Sequence, residues 1–262
     1  MNISGININF QPGNPKTRDN DLLFVHGMWA GSWMWDQYKA FFINKGFDCY
    51  ALDLRGRPDS IPVYDRGKIS INDYVQDVKV VAEQLNTPII IGHSMGGLLT
   101  QKVAELLSPS AIILIGPTPP AGIFMLGGWI HMTMGLVYGI QIILGNAILP
   151  NQFFMRQLLM NEIPDTIQDS IYGQLVPESS RVALEILYPG VPVNESQVEC
   201  PMLIIASPQD HATPISTIHR IVKKYNCDLK TYSGFGHMIP IEPEWEKPAQ
   251  DILEWIDTHV IT

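Results

Sequence analysis

The most informative short motif in this chain has a serine at its centre. Residues 92–96 read Gly-His-Ser-Met-Gly, the pattern G-x-S-x-G with Ser94 as its third residue. Three isoleucines precede the motif directly, and a stretch with helical periodicity follows it. An ordinary glycine-rich turn is the alternative interpretation, but a sharp turn between a strand and a helix requires glycine on both sides of an exposed serine. The motif therefore predicts that Ser94 is a nucleophile.

A serine hydroxyl is a weak nucleophile, and it needs a histidine base that a carboxylate orients. After a motif of this kind the acid and then the histidine follow the serine along the chain. Only His237 of the seven histidines lies far downstream in a predicted loop between the final strand and the final helix. Asp210 follows the predicted strand 201–206, at the strand end where catalytic groups collect. We therefore predict the triad Ser94, Asp210 and His237, with the side chain of His93 pointing elsewhere.

Two backbone amides are predicted to bind the oxyanion that forms when a serine attacks a carbonyl group. One belongs to Met95, directly after the nucleophile, and the other to Met28, which follows a His-Gly pair at the end of an early strand. Trp29 and Met238 are the neighbours in sequence of Met28 and His237. We predict that both side chains bind substrate.

The elements that must position these residues alternate along the chain. Apolar runs predict strands, and amphipathic stretches predict helices. The predicted strands are 22–25, 49–52, 88–91, 111–115, 201–206 and 229–232, and the predicted helices are 32–45, 71–85, 97–107, 214–225 and 245–260. Continuously apolar strands separated by helices indicate a parallel sheet covered on both faces. Residues 1–14 alternate in polarity and predict an edge strand or hairpin.

One segment interrupts this alternation, because residues 106–155 contain no Asp, Glu, Lys or Arg. Residues 123–149 are long enough to cross a bilayer. However, they include five glycines and have no closely flanking basic residues, so we favour helices packed on the protein or over a ligand. The apolar side chains here suit either a ligand pocket or a core. They are Phe124, Met125, Leu126, Trp129, Met132, Met134, Phe153, Phe154 and Met155. From this set, Trp129 and Phe154 are predicted to bind substrate.

Composition excludes several classes of protein. Apolar residues make up 46% and charged residues 16% of the 262 residues, which excludes a disordered or fibrous chain. A net charge of -9 without a basic cluster argues against nucleic-acid binding. Three isolated cysteines suggest neither a zinc site nor a disulfide framework. The N-terminal residues lack the features of a signal peptide, so we expect a cytoplasmic location.

These motifs together resemble the α/β-hydrolase superfamily over nearly the whole chain. The residues that carry the resemblance are His26-Gly27, residues 53–56, the turn at Ser94, the loop at Asp210 and the Gly-x-Gly-His that ends at His237. The resemblance implies an α/β fold with an eight-stranded, mostly parallel sheet, formed by residues 1–116 and 200–262. It also implies that residues 117–199, called the lid segment below, form a helical lid above the site. The match departs at residues 57–60, Arg-Pro-Asp-Ser, where many relatives have Gly-x-Gly-x-Ser.

The resemblance also implies an activity. Relatives that open epoxides or displace halides have Asp in place of Ser94, so we expect acyl transfer to water without a metal or cofactor. The expected substrate is a carboxylic ester with an apolar acyl or aromatic group. A thioesterase, a lactonase or a carbon–carbon bond hydrolase would use the same triad, and a non-catalytic receptor or scaffold is an alternative of another class. A single membrane crossing would separate Ser94 from His237, so we expect at most peripheral contact of the lid segment with a membrane.

Overall fold

The computed structural model describes residues 1–124 and 129–260. Two apolar residues of the lid segment, Met125 and Leu126, lie outside the described residues.

Eight strands form one sheet. They are β1 (Asn2–Ile3), β2 (Ile6–Gln11), β3 (Leu22–Val25), β4 (Cys49–Asp53), β5 (Ile89–His93), β6 (Ala111–Ile115), β7 (Met202–Ala206) and β8 (Asp228–Thr231). Their order across the sheet is β1-β2-β4-β3-β5-β6-β7-β8. The pairs β1–β2 and β2–β4 are antiparallel, and all other neighbouring strands are parallel. The eight-stranded, mostly parallel sheet and the N-terminal hairpin are thus confirmed.

Helices cover both faces of the sheet. They are α1 (Asp36–Ile43), α2 (Ile71–Ala82), α3 (Met95–Leu106), α4 (Trp129–Ile143), α5 (Gln152–Leu158), α6 (Asp165–Tyr172), α7 (Ser180–Leu187), α8 (Ile215–Tyr225) and α9 (Glu246–His259). Leu23 and Val25 of β3 pack in one core with α2, α3 and α8, while Leu22 and Phe24 pack in another with α1 and α9. This alternation follows from the two-residue period of a strand.

Two helix boundaries differ from the sequence prediction for local reasons. The helix predicted over 32–45 is shorter because Ser32–Trp35 form a 3₁₀ turn before α1 begins at Asp36. In contrast, α3 begins at Met95 rather than at Gly97, since Ser94 itself is the residue that precedes the first helical turn. The strand β5 therefore ends directly before the predicted nucleophile, and α3 begins directly after it.

Four helices, α4 to α7, lie in the lid segment between β6 and β7. Residues of α4, α5 and α6 form a third apolar cluster, which also includes Trp29 and Met238 from the rest of the chain. Across the described part of the chain, the structure has no helix with both the length and the apolar character needed to span a membrane. The predicted boundaries of the lid segment stay a prediction.

Candidate active site

Ser94 occupies a strained turn between β5 and α3. Its backbone has φ 54° and ψ -119°, a conformation that costs a residue with a side chain of order 1–3 kcal/mol. A Cβ atom on Gly92 would clash with the Gly96 carbonyl group, and one on Gly96 would clash with the carbonyl oxygen of Val25. Both glycines are therefore required, as the motif predicted, and the turn projects Ser94 at the carboxyl end of the sheet.

His237 and Asp210 meet below this turn. The Nδ1 atom of His237 lies 2.8 Å from Oδ2 of Asp210, and both side chains are buried. The other carboxylate oxygen, Oδ1, accepts hydrogen bonds from the amides of Ala212 at 2.8 Å and Thr213 at 2.9 Å. Because a carboxylate only accepts, Nδ1 of His237 carries the proton, and its Nε2 atom is left as the free base.

Ser94 and His237 line the same cavity. Among the described residues, no hydrogen bond joins the Ser94 hydroxyl group to the His237 ring, so the histidine and the acid are the paired half of the predicted triad. Catalytic hydrogen bonds are often long before substrate binds. A Cβ atom on Gly116, at the end of β6, would lie 3.0 Å from Oδ2 of Asp210, so the backbone encloses the pair closely.

The backbone of His237 is held on both sides. The Glu242 carboxylate accepts hydrogen bonds from the amides of Gly236 at 2.5 Å and Met238 at 2.8 Å. Nε2 of His93 donates to the His237 carbonyl oxygen at 2.8 Å, and the orientation of the His93 side chain away from Ser94 stays a prediction. Burial raises the pKa of Glu242 to about 7 and lowers the pKa of His93 to about 3. His93 is therefore neutral at physiological pH.

The two amides predicted to bind the oxyanion are available. Within residues 1–124 and 129–260, neither the Met28 amide nor the Met95 amide donates a hydrogen bond to another protein group. A Cβ atom on Gly27 would lie 3.0 Å from Cβ of Ser94, so the loop after β3 runs beside the serine. The His26 ring accepts from the amide of Leu54 at 3.2 Å and donates to the Gly27 carbonyl oxygen at 2.8 Å. Burial holds the pKa of His26 well below its usual value.

The cavity above Ser94 has a volume of about 190 Å³ and is mostly apolar. Trp29 and Met238, two of the predicted substrate-binding residues, line it. One wall is a face of α4, formed by His131, Met134, Gly135, Tyr138 and Ile142. Leu158, Leu159, Ile186 and Leu187 also line the cavity.

The structure does not bring the other two predicted substrate-binding residues to the cavity. Trp129 is 60% exposed and lies on the outer face of α4. Phe154 is buried in the apolar cluster of the lid segment, packed against Tyr138. The residues of α4 that line the cavity recur at helical spacing, and position 129 falls on the opposite side of that helix. Of the remaining apolar candidates that the structure describes, only Met134 lines the cavity, whereas Met132 is exposed and Met155 is buried in the cluster.

His131 is a residue of the site that the sequence analysis missed. It lines the cavity from α4, and its Nδ1 atom is buried without a hydrogen-bond partner in the part of the chain that the structure describes. Burial lowers its pKa, so the ring is held neutral. The sequence signal that could have identified His131 is a single histidine in a helix without charged residues. It lies at helical spacing from the other α4 residues that line the cavity. No group of three His, Cys, Asp or Glu side chains within the described residues forms a metal site.

Known proteins resemble this chain in sequence and in fold. The model of the alpha/beta hydrolase family matches residues 22–249. A protein of Mycoplasma genitalium named putative esterase/lipase 2 is 30% identical over 107 residues, which cover 39% of this chain and 40% of that protein. A non-heme chloroperoxidase of Burkholderia pyrrocinia is 23% identical over 256 residues, covering 88% of this chain and 90% of that protein.

A solved structure shares the fold over almost the full length of both chains. It is a monoacylglycerol lipase of Paleococcus ferrophilus, with a TM-score of 0.73 at 21% sequence identity. The match covers 97% of this chain and 99% of that chain.

Proposed function

This chain belongs to the alpha/beta hydrolase family, and on that premise we propose that it is a serine esterase that uses Ser94, His237 and Asp210. The observation that carries the proposal is the paired, buried His237 and Asp210 beside a serine on a strained turn at one cavity. The relative named putative esterase/lipase 2 supports the same reaction class.

The proposed reaction begins when His237 removes the proton from Ser94 through its free Nε2 atom. The Ser94 oxygen then attacks the ester carbonyl carbon, and the amides of Met28 and Met95 stabilise the negative charge that forms on the carbonyl oxygen. Protonated His237 gives its proton to the leaving alcohol, and an acyl group remains on Ser94. Water attacks this acyl-enzyme with His237 again acting as base, which releases the acid and restores the serine.

The walls of the cavity support an apolar acyl or aromatic group as the part of the substrate that binds there. Methionine side chains adapt to irregular ligands, and Met28, Met134 and Met238 all line this space. A helical lid formed by residues 117–199 fits the position of α4, which contributes one wall. His131 is the polar group in that wall, and we propose that it forms a hydrogen bond with a polar atom of the substrate.

The experiment is hydrolysis of p-nitrophenyl esters by the wild-type chain, Ser94→Ala and Ser196→Ala. Ser196 is exposed and serves as the matched control. Loss of a triad serine lowers turnover by about a million-fold. We expect that loss in Ser94→Ala, and wild-type turnover in Ser196→Ala. An active Ser94→Ala chain would refute the nucleophile, and an inactive wild-type chain would favour the non-catalytic alternative.

The same triad serves thioesters, lactones and carbon–carbon bonds, so the panel of substrates includes one of each. The proposal expects the largest kcat/KM for a carboxylic ester. A larger kcat/KM for another class would leave the triad in place but change the substrate assignment. Because one relative is named a chloroperoxidase, the panel also includes a halogenation assay with peroxide.

Peripheral contact with a neutral lipid surface is a further expectation, and the outer face of α4 supports it. Trp129, Met132, Leu136 and Ile140 are exposed there, and the opposite face lines the cavity. We expect the chain to sediment with phosphatidylcholine vesicles and Leu136→Ser to sediment less. Leu106→Ser, an exposed leucine outside this face, is the control. Equal sedimentation of both variants would exclude α4 as the contact.

A further inference from the structure

A buried ion pair lies beside the loop that carries the Met28 amide. Nη2 of Arg57 lies 2.6 Å from Oε2 of Glu178, and the two side chains are 2% and 0% exposed. Arg57 stands where the sequence departs from the family pattern, and Glu178 lies in the lid segment directly before α7. A buried pair of charges is weak evidence for stability, because desolvation offsets the attraction.

The pair belongs to a hydrogen-bond network that also includes the Tyr74 hydroxyl group and the Ala30 carbonyl oxygen. Arg57 donates through Nε to the Ala30 carbonyl oxygen at 2.9 Å and through Nη1 to the Tyr74 hydroxyl at 3.1 Å. The Tyr74 hydroxyl donates to Oε1 of Glu178 at 2.6 Å. Burial opposes ionisation of Glu178, but Arg57 and Tyr74 hold the pKa of Glu178 below its usual value. Both members of the pair are therefore charged.

The network ends on the residues that follow Met28. The amide of Trp29 donates to Oε2 of Glu178 at 3.4 Å, and the Trp29 carbonyl oxygen accepts from the amide of Val176 at 2.9 Å. The Trp29 indole donates to the Ile148 carbonyl oxygen at 2.9 Å. Arg57 donates to the carbonyl oxygen of Ala30, the next residue. Both residues after Met28 are therefore hydrogen-bonded to the Arg57–Glu178 network or to the lid segment.

These bonds hold a backbone conformation that is unfavourable in itself. Trp29 has a φ of 62°, a left-handed conformation that residues with bulky side chains rarely adopt. Such a conformation persists only where the surrounding structure determines it. The φ angle of Trp29 also sets the direction of the peptide group between Met28 and Trp29. Met28 lines the same cavity as Ser94.

We propose that Arg57 and Glu178 are positioning residues for catalysis, because they fix Trp29 and Ala30 and thereby aim the Met28 amide at the oxyanion. This inference rests on the proposed function. It also explains why charged residues occupy the position: apolar side chains of similar size could fill the space, but they could neither donate to the Ala30 carbonyl oxygen nor accept from the Trp29 amide.

The test separates packing from positioning. Arg57→Met/Glu178→Met replaces the pair by apolar side chains, and such a replacement is often neutral for stability. The matched control is Arg55→Met/Asp77→Met, which removes a neighbouring pair that joins the loop after β4 to α2 and has no bond to residues 28–30. For each variant we would measure the thermal midpoint, kcat and KM on an ester, and the affinity for a trifluoromethyl ketone.

We expect kcat of Arg57→Met/Glu178→Met to fall by about tenfold or more, with KM within about twofold of wild type. The affinity for the ketone, which forms an oxyanion when bound to the serine, should fall by a similar factor. The control pair should keep kcat within about twofold of wild type. A wild-type kcat and ketone affinity in Arg57→Met/Glu178→Met would overturn the inference.

Arg57→Lys covers the case in which the double variant fails to fold. Lysine keeps the positive charge but lacks the planar group that bonds Ala30 and Glu178 together. We expect the same selective loss of kcat in a folded chain, and an unchanged kcat would again overturn the inference. A wild-type chain without ester hydrolysis would refute the proposed function and this inference with it, whereas an active wild type with fully active variants refutes the inference alone.

Discussion

The polar edge of the sheet and the apolar helix α4 form opposite sides of one cavity, and they are built in different ways. At the sheet edge, Asp210, His237 and Glu242 each have hydrogen-bond partners that fix one orientation. In α4 the polar side chains that line the cavity are His131 and Tyr138, and apolar side chains occupy the inner and the outer face alike. Under the proposed function, the sheet edge carries the chemistry and α4 selects the acyl group.

The largest expected effect in this comparison comes from the acid at the sheet edge. In Asp210→Asn, the amide group no longer holds the proton on Nδ1 of His237, so the ring adopts the wrong tautomer. We expect kcat to fall by about ten-thousand-fold, with the fold retained. The measurement is steady-state ester hydrolysis, with exposed Asp59→Asn as the control. Turnover of Asp210→Asn within tenfold of wild type would show that another residue orients the base.

A smaller effect, on stability rather than on rate, comes from Glu242. Burial raises its pKa from 4.5 to about 7, so the folded chain binds this proton more tightly than the unfolded chain. The resulting stabilisation is complete below about pH 4.5 and is lost as the pH rises through about 7, by up to about 3 kcal/mol. Glu242→Gln does not titrate, so this contribution to the pH dependence should disappear from its free energy of unfolding.

Urea unfolding between pH 4 and 8 measures this contribution, with exposed Glu246→Gln as the control that should follow the wild type. The same decline with pH in Glu242→Gln as in the wild type would mean that the pKa of Glu242 is the same in the folded and the unfolded chain. Glu242 would then contribute nothing to the pH dependence of the free energy of unfolding.

The smallest effect comes from α4 and concerns selectivity. Met134 lines the cavity, whereas Met132 is exposed two residues earlier. Burial of a methylene group contributes about 0.8 kcal/mol, so loss of the contact between the Met134 side chain and one acyl methylene group should lower the hexanoate-to-acetate ratio of kcat/KM by about fourfold. We expect this in Met134→Ser and little change in Met132→Ser. Equal ratios in the two variants would show that this face of α4 does not bind the acyl group.

The same contrast explains how far the sequence alone could predict the structure. The motif at residues 92–96 predicts a sharp turn, because only glycine fits beside the backbone on each side of Ser94. The structure confirms this steric reason for Gly92 and Gly96. The apolar strands likewise predict a parallel sheet, and eight strands in that arrangement are found. Asp210 and His237 could be placed because each follows a strand at the edge where catalytic groups collect.

In the lid segment the sequence could not give this detail. A helix that is apolar on every side has no polar face to mark its orientation, so the sequence could not distinguish Trp129, on the outside, from Met134, on the inside. Nor could it show that Arg57 pairs with Glu178, since 120 residues separate them and only the packing of the lid segment brings them together.

The most direct test of the central claim is covalent labelling by a fluorophosphonate, with the modified peptide identified by mass spectrometry and the rate measured from pH 5 to 8. We expect one adduct, on Ser94, and a rate that falls in acid, because only a neutral imidazole can act as the base. His93, with its pKa lowered to about 3, contributes nothing in that range. An adduct on another residue, or a rate that does not change with pH, would contradict the assignment of Ser94 as the nucleophile and His237 as its base.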